Sequence, residues 1–127
     1  MYSVEVTNKG TSCFNVKSKD YEFVIDTNGK GITPPDTLLA SLGSCVGVYI
    51  RKYAEGAKLA LGKFSVKVEA DFAPEKPICF KDIRVKIDLG GLKLDEKRLG
   101  ALLTFIKNCP VHNTLKGDPS IEVTFAS

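Results

Sequence analysis

No C-x-x-C pair occurs anywhere in the chain, although it holds four cysteines, Cys13, Cys45, Cys79 and Cys109. That spacing argues against a zinc ribbon or a thioredoxin-type motif. No basic cluster occurs either, because the 18 basic and 15 acidic residues are scattered along the length and leave a net charge of only +3. Lysines are not interleaved with stacking aromatics, so nucleic-acid binding has little support. The first residues, MYSVEVTNKG, lack a basic start and an apolar stretch leading to a cleavage site, so no export signal is expected. The longest uncharged run falls short of the roughly 20 apolar residues of a membrane span. Repeats, low-complexity tracts and linkers are absent. These absences leave a soluble, cytoplasmic single domain over residues 1–127, with no membrane or nucleic-acid partner and with thiols kept reduced. The 127 residues, 43% hydrophobic and 26% charged, can bury a core without staples.

Alternation with period two marks both ends of the chain. Tyr2, Val4 and Val6, then Phe14 and Val16, then Tyr21, Phe23 and Ile25 predict three short strands. The Gly-, Asn- and Pro-rich segment 26–36 is a loop whose Pro-Pro suits a helix start. A helix follows from about Asp36 to about Glu55, with Gly56 as its expected stop. Leu38, Leu42, Cys45 and Tyr49 share one face, Leu39, Val46, Ile50 and Tyr53 broaden it, and Ala40, Gly43, Gly47 and Ala54 make the other side small. Such a helix is expected to be covered all round. Gly43 and Gly47 each cost about 1 kcal/mol in a helix interior, which implies close approach of another backbone.

The segment KFSVKVEADF points Phe64, Val66, Val68, Ala70 and Phe72 inward, and the next strand does so with Ile83, Val85, Ile87 and Leu89. Together they predict an antiparallel hairpin with one wet face. Asp95 is the expected cap of a second helix with a buried stripe of Leu99, Leu102, Leu103 and Ile106. Asn108-Cys109-Pro110 interrupts it, and IEVTF predicts a final strand. The fold class is α+β, with antiparallel sheets packed on a long buried central helix plus a second helix.

Cys13 and Cys79 read as incidental small residues. Cys45 lies in fourteen uncharged residues, Thr37–Ile50, where a free cysteine is commonly a small buried hydrophobe. Cys109 precedes Pro110, which suits the first position of a short helical turn. A thiol at such a start faces unpaired N–H groups that favour the thiolate. His112, the only histidine, stands three residues on; with Cys45 and Cys109 it would form a two-cysteine, one-histidine metal site, while the blander reading is a turn histidine.

PPDTLLASLGSC, residues 34–45, then a long hairpin, then CPVHNTL, residues 109–115, closely resembles the OsmC-like proteins, relatives of osmotically induced protein C and the organic hydroperoxide resistance proteins. The resemblance implies an intertwined homodimer and a thiol-dependent peroxidase, an antioxidant stress-response enzyme needing no cofactor or metal. Cys45 would attack an organic hydroperoxide and Cys109 would resolve the product as a disulfide, which a dithiol reductant reopens. Leu42 and Tyr49 would bind substrate. The family's reductases pair an N-terminal arginine with a glutamate just before the cysteine helix. Here no arginine precedes Arg51, and Asp36 stands at the glutamate position. The remaining cations there are Lys9, Lys17, Lys19 and Lys30, and Lys52 falls on the Cys45 face. The alternatives are a non-catalytic small-ligand-binding protein, a redox sensor, or the Cys/His metal site.

Overall fold

The computed structural model describes residues 1–126. The chain divides into two compact units, Met1–Ala40 and the residues from Ser41 onward.

The first unit is an antiparallel three-stranded sheet in the order β1 (Glu5–Asn8), β2 (Cys13–Ser18), β3 (Tyr21–Asp26). Val16 lies opposite Phe23 and Cys13 opposite Asp26. The Asp26 carboxylate is fully buried and accepts from Asn28 N (2.9 Å) and Lys30 N (3.1 Å), so it organises the turn that follows β3. These backbone donors hold its pKa below the usual carboxylate range. Cys13 Sγ donates to the same carboxylate at 3.5 Å, which gives this thiol a structural neighbour.

Helix α1 runs Pro34–Gly56. Thr33 caps it: its Oγ1 accepts from Asp36 N at 3.3 Å and donates to Asp36 Oδ2 at 2.9 Å, while Pro34 and Pro35 fill the first turn, where missing N–H groups cost nothing. The helix ends at Gly56, where the sequence placed its stop, and the left-handed turn falls on Lys58 (φ 55°). Leu59 N reaches Ala54 O at 2.8 Å and Lys58 N reaches Glu55 O at 3.2 Å, which together close a Schellman motif.

In the second unit, α1 from Ser41 packs with β4 (Ser65–Phe72), β5 (Phe80–Asp88), α2 (Glu96–Ile106) and α3 (Pro110–Lys116). The core is Leu42, Val46, Ile50 and Ala54 of α1 with Leu61, Leu102, Ile106 and Cys109. Each large aliphatic among them contributes about 1.5–3 kcal/mol on burial. The hairpin is antiparallel, with Val66 opposite Ile87, Val68 opposite Val85 and Ala70 opposite Ile83. Arg51 ties α1 to the connection leading into β4, donating to Leu61 O and Gly62 O at 2.8 Å each, with its guanidinium 5.1 Å from the Phe64 ring centroid. Asp95 caps α2 as expected, accepting from Arg98 N at 2.8 Å.

Four expectations need correction. First, α1 is not covered all round in the single chain, since Leu38 and Val48 are exposed. Second, its glycines approach side chains of the β4 segment, not another backbone: a Cβ at Gly43 would meet Val68 Cγ2 at 3.0 Å, and one at Gly47 would meet the Phe64 ring at 3.8 Å. Third, only Leu102 and Ile106 of the α2 stripe are buried, whereas Leu99 and Leu103 are exposed; Phe72 is also exposed and stacks on Phe80 at 4.6 Å. Fourth, IEVTF forms no strand. Ile121, Val123 and Phe125 are 83, 85 and 98% exposed, and among the described residues they pair with no strand.

Candidate functional site

Cys45 and Cys109, 64 positions apart in the sequence, are neighbours in the second unit. Cys45 is brought there by α1, whose Leu42, Val46 and Ile50 stripe is buried in the core and leaves Cys45 half-buried at its edge. Cys109 is brought there by the break between α2 and α3. Lys107 N turns back to Thr104 O and Cys109 N to Ile106 O (3.0 Å), which ends α2, and Pro110 starts α3 with a preset φ. Cys109 is fully buried and is the N-cap of α3, its Sγ accepting from His112 N at 3.3 Å. The helical start at Pro110 expected from the sequence is present.

Both thiols are free. The Cys45 thiol is pushed above its ordinary pKa, first by burial and then by a hydrogen bond to the Cys109 thiol, which favours the protonated form. Two influences act in the opposite direction. The main-chain N–H of Val111 and the positive charge of Lys52 both favour the thiolate. Lys52 Nζ lies 5.0 Å from the Tyr49 ring centroid, and that ring in turn leans on Phe105 at 5.8 Å. Tyr49 is therefore a shelf for a cation that acts on Cys45. The N–H group expected to face the Cys109 thiol at this helix start is that of His112, while the influence of the Val111 N–H on Cys45 was not foreseen.

The remaining expected site residues are placed differently. Asp36 is exposed at the start of α1, its carboxylate engaged by Thr33, and among the described residues no cation pairs with it. Arg51 is committed to two carbonyls. His112 contributes its main-chain N–H, while its ring Nδ1 lies 3.3 Å from Asn113 Oδ1. Among the described residues no group of three or more His, Cys, Asp or Glu side chains gathers as a metal site would, so the Cys45, Cys109 and His112 alternative is not assembled. Leu42 is buried and lines a cavity of about 550 Å³ to which neither cysteine contributes.

The family model for OsmC-like proteins matches residues 27–124, which include both cysteines, the hairpin and all three helices. The chain belongs to the OsmC-like family. Solved structures share its fold. An OsmC-like protein from Mycoplasma pneumoniae is 20% identical, with a TM-score of 0.78 and coverage of 92% of this chain and 88% of that one. The organic hydroperoxide resistance protein OsmC from Legionella pneumophila is 21% identical, with a TM-score of 0.64 and coverage of 92% and 91%. An organic hydroperoxide resistance protein from Elizabethkingia anophelis is 18% identical, with a TM-score of 0.63 and coverage of 93% and 91%. No curated protein matches the sequence. Identities this low carry the architecture, an α+β fold of antiparallel sheets and helices.

Proposed function

We propose that this OsmC-like protein is a thiol-dependent peroxidase that reduces organic hydroperoxides. The observation that carries the reading is the adjacency of Cys45 and Cys109 in an apolar setting, one half-buried and one fully buried. The Cys45 thiolate attacks the O–O bond; one oxygen passes to sulfur and the departing alkoxide takes a proton to leave as an alcohol. The resulting sulfenic acid condenses with the Cys109 thiol, forming an S–S bond and releasing water, before further oxidation can occur. A dithiol reductant returns both sulfurs to thiols by exchange and is itself oxidised to a disulfide.

Within this proposal the Val111 N–H and the Lys52 charge offset the burial that disfavours the thiolate. They stand in for the arginine that the family's reductases carry and this chain lacks. Tyr49 positions Lys52, and Asp36 acts by starting the helix that carries Cys45. The proposal includes a cytoplasmic homodimer, supported by the exposed alternating row Ile121, Val123 and Phe125, a face suited to pairing with a second copy. Among the described residues no helix is long and apolar enough to cross a membrane.

Stopped-flow consumption of cumene hydroperoxide tests the proposal. Cys45→Ser should abolish reaction, and Cys109→Ser should permit one turnover followed by over-oxidised Cys45. Equal rates in wild type and both variants would end the peroxidase reading.

A further inference from the structure

An apolar hollow in the second unit is lined by neither Cys45 nor Cys109. It has a volume of about 550 Å³, within the range of small-ligand sites. Nine of its lining residues are apolar, contributed by all the elements around it: Leu42 and Val46 from α1, Ile83 and Val85 among those from β5, and Leu103 and Leu115 from α2 and α3. The other four are Lys81, Lys107, Lys116 and His112, and none is acidic. Among the described residues the salt bridges are Arg84 with Asp71 and Lys86 with Glu69, so none of these three lysines is held in one. Lysine stems extend along apolar walls while their ammonium groups stay in water. An apolar interior whose only charges are cationic therefore matches a molecule that is apolar along its length and anionic at one end.

We propose that this cavity binds a single-chain amphiphilic anion, of which a medium-chain carboxylate is the simplest case, with the chain among Leu42, Val46, Ile83 and Val85 and the head group met by the lysines. The site is separate from the cysteine pair and does not depend on peroxidase activity. It nevertheless touches the pair at one point, since His112 lines the cavity and its main-chain N–H caps the Cys109 sulfur.

Isothermal titration of the full, reduced chain with hexanoate, octanoate and decanoate tests this, with decanol and decyltrimethylammonium as head-group controls. Decanoate should saturate one site per chain, and each added methylene should tighten binding by about threefold to fourfold. Decanol and decyltrimethylammonium should bind weaker by about tenfold or more, for want of a charge-assisted contact. The double variant Lys81→Glu and Lys116→Glu should weaken decanoate by a similar factor while leaving decanol unchanged; Lys81→Gln with Lys116→Gln gives the same comparison without charge reversal should the first fail to fold. Cys45→Ser should bind decanoate as wild type does, which separates this result from any failure of the peroxidase reading. No saturable binding, equal binding of all three head groups, or loss of binding on Cys45→Ser would each overturn the proposal.

Discussion

Substituting alanine at Gly43 and at Gly47 should have opposite effects, although both glycines are interior positions of α1 one turn apart. Helix propensity alone favours alanine by about 0.8–1 kcal/mol at each. The surroundings then decide. At Gly47 the new methyl would sit 3.8 and 3.9 Å from two carbons of the Phe64 ring, which is ordinary contact, so Gly47→Ala keeps the gain. At Gly43 it would sit 3.0 Å from Val68 Cγ2. Val68 is β-branched, with a stiff χ1, on a strand paired to Val85 and packed against the core, so it yields poorly. Overpacking of this kind costs about 1–3 kcal/mol, which offsets or exceeds the propensity gain. For a chain of this length about 1 kcal/mol moves Tm by about 3–5 °C. Thermal melts should place Gly47→Ala above wild type by about 2–5 °C and Gly43→Ala level with it or below by up to about 10 °C. Val68→Ala removes the opposing methyl, so the Gly43→Ala, Val68→Ala cycle should show a favourable coupling of about 1–2 kcal/mol. Equal stabilisation by the two alanines, with no coupling, would refute the close seating of α1 on β4 that sets the position of Cys45.

Two further predictions concern the cations near α1. Arg51→Ala forfeits two charge-assisted hydrogen bonds to Leu61 O and Gly62 O and should cost about 2 kcal/mol in denaturant unfolding, with Arg51→Lys recovering only part because an ammonium lacks the fork that reaches both carbonyls; an unchanged midpoint in Arg51→Ala would show that this tie does not hold the connection. Burial raises the Cys45 thiol, so peptide-resolved alkylation by iodoacetamide should keep climbing with pH through and beyond the ordinary thiol value of about 8.5, and should not level there. Lys52→Met removes a charge that favours the thiolate, so at fixed pH below that range the Cys45 rate should fall by between about 1.4- and 5-fold, as expected of an exposed charge worth about 0.2–1 kcal/mol; a rate that levels at or below pH 8 would contradict the direction of the shift.

Most of the second unit could be read from local pattern. The strand alternation of Val66 and Val68 and of Ile83, Val85 and Ile87, the cap at Asp95, and the Cys109-Pro110 helix start all act over a few residues, and each has its counterpart in the structure. What escaped depends on partners distant in the chain. The width of the apolar band on α1 does not reveal which of its members meet α2, and Leu38 and Val48 prove exposed while Leu42, Val46, Ile50 and Ala54 are buried. Gly56 does end the helix, but the left-handed residue of the turn is Lys58, beside Leu59 that packs against the core. IEVTF has a strand's period, yet among the described residues it pairs with no strand. The adjacency of Cys45 and Cys109 came from the family resemblance, and the lysines around the cavity were not foreseen, since Lys81, Lys107 and Lys116 share no sequence spacing.

The central claim is that Cys45 and Cys109 form one redox unit. Reduced protein treated with a single equivalent of cumene hydroperoxide, alkylated and digested, should yield a linked pair of peptides carrying Cys45 and Cys109, lighter by two hydrogens than the sum of the separate peptides, while Cys13 and Cys79 remain alkylated thiols. Recovery of Cys45 and Cys109 both as alkylated thiols, or a disulfide drawn from Cys13 or Cys79, would contradict it.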